Sequence, residues 1–155
     1  MKYPVAVFDY GIGGIGLVTL IKERYPNLPL LYFSDSGEIP YGKLTRSVLK
    51  ARVDKVINFL HDEGAHHVVV ACHSASSVVI SNERVTGIRE LALNSVKKYN
   101  LNSLGIIGGG RTIRAGFYRK NLSDEGMRIS QRIAQEFSIR IERGEIDSPE
   151  LKEVA

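Results

Sequence analysis

The ten residues 68–77, Val-Val-Val-Ala-Cys-His-Ser-Ala-Ser-Ser, constrain the fold of this chain more than any other stretch. Val68–Ala71 is short, apolar and mostly β-branched, which predicts a buried strand of a parallel sheet. Open α/β sheets bind ligands beyond the carboxyl ends of their strands, so Cys72, His73 and Ser74 fall where chemistry is expected. A single cysteine is also often a small buried hydrophobic residue. This segment alone leaves both interpretations open.

Two further strand-and-helix patterns precede this segment. Val5–Phe8 is an apolar run that ends at Asp9, and a glycine turn and an amphipathic helix pattern follow it. Leu30–Phe33 is a second apolar run, and a longer helix pattern lies between it and Val68–Ala71. Successive strand–helix–strand units predict an α/β fold with a parallel, flavodoxin-like sheet flanked by helices.

The patterns become weaker after residue 77. They predict, in chain order, a strand at 85–88, a helix at 88–99, a strand at 104–107, a helix at 112–118, a stretch of mixed periodicity at 127–141, and the opening of a last helix at 148–155. A strand, a glycine turn and a helix thus occur a second time. We therefore expect two lobes, a first α/β lobe at 1–90 and a partial second α/β lobe at 91–155.

The composition excludes several classes of protein. It is ordinary for a globular domain and the net charge is +4, while positive and negative residues are mixed in the last third, a pattern of solvated surface rather than of a nucleic-acid site. No apolar run is long enough to cross a membrane and no secretory signal is visible, which predicts a cytoplasmic protein. One cysteine excludes an internal disulfide, and no ligand spacing predicts a metal site.

The glycines after the first strand allow two interpretations. Gly11-x-Gly13-x-x-Gly16 matches the dinucleotide-binding fingerprint, and Asp35 follows the second strand where a ribose-binding acid would stand. However, Asp9 lies two residues before the first glycine, and its carboxylate would repel a pyrophosphate. The alternative is a tight turn that lets the backbone approach a ligand closely.

Asp9 and Cys72 follow the first and third predicted strands. If these strands are neighbours, the carboxylate and the thiol share one edge of the sheet, where the carboxylate can accept a proton from the thiol or bind an ammonium group. The pair Tyr41-Gly42, after a proline, predicts a backbone nest near the same edge.

Four motifs resemble those of glutamate racemases, within the aspartate/glutamate racemase superfamily, in their order and spacing. They are Phe-Asp-Tyr-Gly-Ile-Gly-Gly at 8–14, Tyr-Phe-Ser-Asp at 32–35, Ile-Pro-Tyr-Gly-Lys at 39–43 and Val-Ala-Cys-His-Ser-Ala-Ser at 70–76. Gly105–Gly108, with Thr112 and Tyr118, is similar to the next segment of that family. The resemblance is strong to about residue 77 and weaker beyond it.

The resemblance implies a racemase that interconverts L- and D-glutamate without a cofactor or metal, and that supplies D-glutamate for peptidoglycan in the cytoplasm. In that family two cysteines flank the substrate Cα; one thiolate removes the proton and the other thiol returns one. By position, Cys72 corresponds to the first catalytic cysteine and Asp9 to an aspartate that assists it. The positions that correspond to substrate-binding residues are Asp9, Tyr10, Tyr41, Gly42, His73, Ser74 and Thr112. The implied partner is a small acidic amino acid, with no nucleic acid and no membrane.

The sequence departs from the family at three places. Tyr10 stands where a serine is usual, and His73 where an asparagine is usual. The second cysteine, within a Cys-Thr-His motif, lies beyond the last residue of this chain, so we expect an incomplete second lobe whose exposed apolar surface favours a homodimer. Two alternatives therefore stay open: a decarboxylase-like relative that uses one cysteine, and a non-catalytic binding or regulatory remnant of the fold.

Overall fold

A computed structural model describes residues 4–37, 39–123, 126–145 and 149. The chain divides into two compact units, residues 1–92 and residues 93–155.

The first unit is a parallel four-stranded sheet with helices packed against it. Its elements are β1 (Val5–Asp9), α1 (Gly14–Arg24), β2 (Leu30–Ser34), a 3₁₀ turn (Tyr41–Lys43), α2 (Arg46–Asp62), β3 (His67–Val70), α3 (His73–Ser76), β4 (Val85–Gly87) and α4 (Ile88–Lys97), the last of which continues into the second unit. The strand order is β2-β1-β3-β4, and every neighbouring pair is parallel. This architecture confirms the predicted fold class.

The core of the first unit joins β1 and β3 of the sheet to α2. In β1, Ala6, Val7 and Phe8 have no exposed surface, as expected of a central strand covered on both faces. Helix α2 begins where the Thr45 side chain accepts a hydrogen bond from the Val48 N–H. It buries the face that its apolar spacing predicts: Leu49, Val53, Val56, Ile57 and Leu60.

In its described residues, the second unit contains a parallel strand pair and, after α4, three short helices. Its elements after α4 are β5 (Ser103–Gly108), α5 (Gly110–Arg114), α6 (Phe117–Ser123), β6 (Arg128–Ile133) and α7 (Gln135–Glu142). The single helix predicted at 112–118 is wrong, because Gly116 takes a φ of +65° and separates α5 from α6. The mixed region 127–141 is a strand followed by a helix. The helix expected at 148–155 lies, but for residue 149, outside the described residues.

Within the described ranges, none of the helices combines the length and the apolar composition that a membrane crossing requires.

Gly64 and Gly16 provide a matched test of the backbone geometry. Gly64 ends α2 with a φ of +90°, whereas Gly16 lies inside α1, and a Cβ added at either position would meet no atom within 4 Å. Gly64→Ala therefore introduces strain without a clash and should lower the free energy of unfolding by about 1 kcal/mol. Gly16→Ala should raise it by about 0.5–1 kcal/mol. Urea denaturation measures both changes, and a stabilising Gly64→Ala would show that α2 does not end as described.

Candidate functional site

The candidate site lies at the carboxyl edge of the first sheet. Strands β1 and β3 are parallel neighbours with Phe8 opposite Val70, and the ladder continues through the Ala71 N–H, which donates to the Phe8 carbonyl at 2.8 Å. Asp9 is the last residue of β1, and Cys72 follows β3 by two residues. Strands β1 and β3 are thus neighbours, as the shared-edge prediction requires. Asp9 and Cys72 both lie at the carboxyl edge of the sheet.

Asp9 organises the turn that follows it. Its carboxylate is almost fully buried and accepts hydrogen bonds from the Tyr10 N–H and the Gly14 N–H, each at 2.9 Å. A Cβ at Gly13 would lie 3.1 Å from Asp9 Oδ2, and one at Gly14 would lie 3.0 Å from the Tyr32 ring, so the turn requires glycine for close approach. The carboxylate occupies N–H donors that a pyrophosphate would need. This geometry disfavours the dinucleotide interpretation.

Cys72 is the half-buried residue that precedes α3. Burial, and to a smaller extent the charge of Asp9, raise the pKa of its thiol to about 12, against the opposing effect of backbone N–H groups at Ala75, Tyr10 and Ser74. The thiol is therefore protonated at neutral pH. It can donate a proton as it stands, and it requires a change in its surroundings before it can accept one.

His73 lies beside the thiol as a neutral imidazole. Burial lowers its pKa, and the charge of Arg89 lowers it too, while the charge of Asp9 acts in the opposite direction. Arg89 is not among the residues predicted from the sequence. Its backbone N–H donates to Ser76 Oγ at 3.2 Å, and its guanidinium pairs with Glu90 at 2.9 Å. Its position directly after β4, at the same edge as the other strand ends, was the available signal.

An aromatic pair and an ion pair complete the edge. The ring centroids of Tyr10 and Tyr41 are 4.9 Å apart, and the buried Tyr41 hydroxyl donates to Asp35 Oδ2 at 2.5 Å. Arg52 donates to both oxygens of Asp35, from Nε to Oδ2 at 2.7 Å and from Nη2 to Oδ1. Burial raises the pKa of Asp35, but the hydrogen bonds from Arg52 and Tyr41 and the Arg52 charge together hold it below its usual value. Asp35 is thus occupied and does not offer its carboxylate to a ribose.

The remaining predicted site residues lie in three places. Gly42 belongs to the 3₁₀ turn with Tyr41, Ser74 lies in α3 after Cys72, and Thr112 lies in α5 of the second unit. In the part of the chain that the structure describes, no group of three or more His, Cys, Asp or Glu residues is placed to hold a metal ion.

Comparison with known proteins identifies relatives along almost the whole chain. No family profile matches the sequence. Glutamate racemase from Thermoanaerobacter pseudethanolicus is 28% identical over 158 aligned positions, which cover 98% of this chain and 60% of the relative. Glutamate racemase from Aquifex aeolicus is 29% identical over 97% of this chain and 62% of its own length. The chain therefore spans about 60% of the length of these curated relatives.

Solved structures show the same similarity. Glutamate racemase from Francisella tularensis, in complex with D-glutamate, superposes with a TM-score of 0.88 at 25% identity and covers 99% of this chain and 61% of that one. The enzyme from Thermus thermophilus, in complex with beta-chloro-D-alanine, gives a TM-score of 0.84 at 26% identity, covering 99% of this chain and 60% of that one. An aspartate racemase from Picrophilus torridus, at 15% identity and a TM-score of 0.67, shares the fold.

The effect of Asp9 on Cys72 can be tested by alkylation, because the chain has one cysteine. With a pKa near 12, Cys72 should react slowly with iodoacetamide at pH 8 and faster as the pH rises. Asp9→Asn removes the negative charge that opposes the thiolate, so its pH–rate profile should shift to lower pH and the rate at pH 8 should rise about tenfold.

Asp54→Asn is the matched control, because Asp54 is an exposed carboxylate on α2. Its profile should coincide with that of the wild type. A profile for Asp9→Asn that stays in place, or moves to higher pH, would show that the Asp9 charge does not act on the thiol.

Proposed function

We propose that this chain, which is similar to glutamate racemases along nearly its whole length, takes part in the cofactor-independent interconversion of L- and D-glutamate. The observation that carries the proposal is the placement of Asp9 and Cys72 on neighbouring strand ends, with the Asp9 charge acting on the Cys72 thiol. These are the two groups that α-proton transfer needs, a proton carrier and a carboxylate that binds the substrate ammonium.

The proposed reaction at Cys72 is a single proton transfer. The thiolate takes the α-proton, so that the Cα–H bond breaks, an S–H bond forms, and the electron pair is delocalised into the substrate carboxylate. Donors at that carboxylate stabilise the developing charge, and the Ser74 hydroxyl and the backbone N–H groups of the glycine turn are the candidates. Racemisation requires a second acid on the opposite face. The chain has one cysteine, so that acid is a group other than a cysteine of this chain.

Substrate binding would also activate the thiol. The Asp9 charge is one of the two causes that raise the pKa of Cys72. A substrate ammonium group placed against Asp9 offsets that charge and so favours the thiolate, and the proton that the thiol gives up passes to solvent before the α-proton is taken.

The remaining site assignments belong to this proposal. Tyr10, Tyr41, Gly42, His73 and Ser74, all in the first lobe at 1–90, are the proposed substrate-binding residues beside Asp9. Thr112, in the partial second lobe at 91–155, is a proposed substrate-binding residue of that lobe. The neutral His73 imidazole can donate a hydrogen bond as an asparagine amide would. We further propose that the protein acts in the cytoplasm as a homodimer and supplies D-glutamate for peptidoglycan.

One observation favours a second candidate, a chain that binds an acidic amino acid without catalysis. The Cys72 thiol, with a pKa of about 12, holds almost no thiolate at neutral pH. If substrate binding leaves that value unchanged, the same edge binds the ligand and does no chemistry.

Proton exchange in D2O distinguishes these functions. The chain is incubated with L- and D-glutamate and with L- and D-aspartate, and the α-proton signal is followed by NMR together with optical rotation. We expect the α-proton signal of glutamate to disappear with time. In Cys72→Ala the rate of this loss should be at least about 100-fold lower, because proton transfer by a positioned group contributes on that order. Asp54→Asn should retain the wild-type rate.

Exchange accompanied by loss of optical rotation identifies a racemase, and exchange from one enantiomer alone identifies one-sided proton transfer by Cys72. No exchange with any of the four amino acids contradicts the proposed catalysis and leaves the binding function.

A further inference from the structure

The Arg52–Asp35 ion pair is not among the residues proposed to touch the substrate. It nevertheless makes more hydrogen bonds than an exposed ion pair would. Asp35 is 5% exposed, and the Arg52 guanidinium reaches both of its oxygens. A buried carboxylate is stable as a charge only while such a partner stays in place. The two residues are 17 positions apart and connect the end of β2 to the second turn of α2.

The ion pair holds the Tyr41 side chain. The Tyr41 hydroxyl donates to the Asp35 oxygen that also accepts from Arg52 Nε. The Tyr41 ring makes an edge contact with Phe8, at 6.3 Å between centroids, and packs against Tyr10 at 4.9 Å. Because a tyrosine ring has two torsions, an anchored hydroxyl and two ring contacts fix its orientation.

The anchored Tyr41 side chain lies within electrostatic range of Cys72. Burial, the hydrogen bond to Asp35, and the charges of Asp35 and of the Cys72 thiolate all raise the pKa of Tyr41. Tyr10 and Cys72 pack against the same core cluster. The Tyr10 backbone N–H donates to Asp9 Oδ1 and also favours the thiolate form of Cys72. A displacement of Tyr41, which belongs to that cluster, therefore changes the packing around Cys72 and removes a contact of the Tyr10 ring.

We infer that Arg52 is a positioning residue, which acts through Asp35 to fix the Tyr41 and Tyr10 rings and thereby controls how the Cys72 thiol is enclosed and how tightly an acidic amino acid binds beside it. The part concerning the amino acid rests on the proposed function. The part concerning the enclosure of the thiol does not.

The alkylation rate of Cys72 under native conditions reports its enclosure. We expect Arg52→Gln to react with iodoacetamide at pH 8 about tenfold faster than the wild type, because loss of the anchor allows the aromatic pair to open locally. Arg52→Lys should lie between them, because an ammonium group cannot reproduce the two-pronged contact. Tyr41→Phe keeps the ring and loses only the anchor, so it should also react faster. It keeps the test available if Arg52→Gln does not fold.

Two controls separate positioning from general stability. Lys50→Gln removes the exposed Lys50–Asp54 ion pair of the same helix and should leave the rate unchanged. Val53→Ala removes buried core volume next to Arg52 without touching the ion pair, and denaturant unfolding places its stability beside that of Arg52→Gln. If Arg52→Gln is alkylated no faster than Val53→Ala at matched stability, the ion pair acts only through global stability and the inference is wrong.

The D2O exchange reaction provides the second readout. If Arg52 positions the Tyr41 and Tyr10 side chains for substrate binding, Arg52→Gln should act mainly on KM. The fold-increase in KM for glutamate exchange should be about five times the fold-decrease in kcat, and Arg52→Lys should restore part of the change. An unchanged KM beside faster alkylation contradicts the binding part of the inference. If the wild type exchanges no amino acid, the proposed function fails, and the alkylation rates still decide whether Arg52 encloses the thiol.

Discussion

The buried carboxylate of Asp9 is the interaction on which the candidate site depends. Held in place by the Tyr10 and Gly14 N–H groups, it closes the turn between β1 and α1 and brings a negative charge to the end of the sheet. Burial and the same charge raise the pKa of the Cys72 thiol. In the proposed function Cys72 is the proton carrier, and it stays protonated until a cationic group beside Asp9 favours the thiolate. The proposal thus couples binding of an amino acid to proton transfer at its Cα.

The fold could be predicted from the sequence where a residue pattern is compatible with only one kind of structure. Val5–Phe8 and Val68–Ala71 are apolar on both faces, and such runs between helices form central strands of a parallel sheet. The sequence was insufficient where local signals conflict. The helix expected at 112–118 is two helices, because Gly116 adopts a positive φ that the surrounding sequence does not predict. Strand β6 has only two apolar residues, Ile129 and Ile133, whose spacing of four is that of a helix, and Ala134 alone separates it from α7, so the periodicity of the region is mixed.

The site could be predicted in its strand-end residues and not in its supporting contacts. Asp9 and Cys72 follow apolar runs, so topology alone brings them to one edge. Arg52 resembles any polar residue of an amphipathic helix, and only tertiary packing places it on Asp35. From the sequence, Asp35 is consistent with a ribose-binding acid. In the structure its carboxylate is already bound by Tyr41 and Arg52. Long-range ion pairs leave no trace in local spacing, and the bulky Tyr10 acquires a role only through its contact with Tyr41.

Direct titration of the thiol tests this account most closely. Selective ¹³Cβ labelling gives one cysteine signal, from Cys72, whose chemical shift distinguishes thiol from thiolate. We predict a thiol that persists above pH 10 in the free protein. We also predict a saturable shift of the signal on addition of glutamate, but not of a glutamate analogue that lacks the α-ammonium group. A thiolate at neutral pH in the free protein, or a signal that glutamate leaves unchanged at every concentration, would contradict the claim that Asp9 and Cys72 form one amino-acid site.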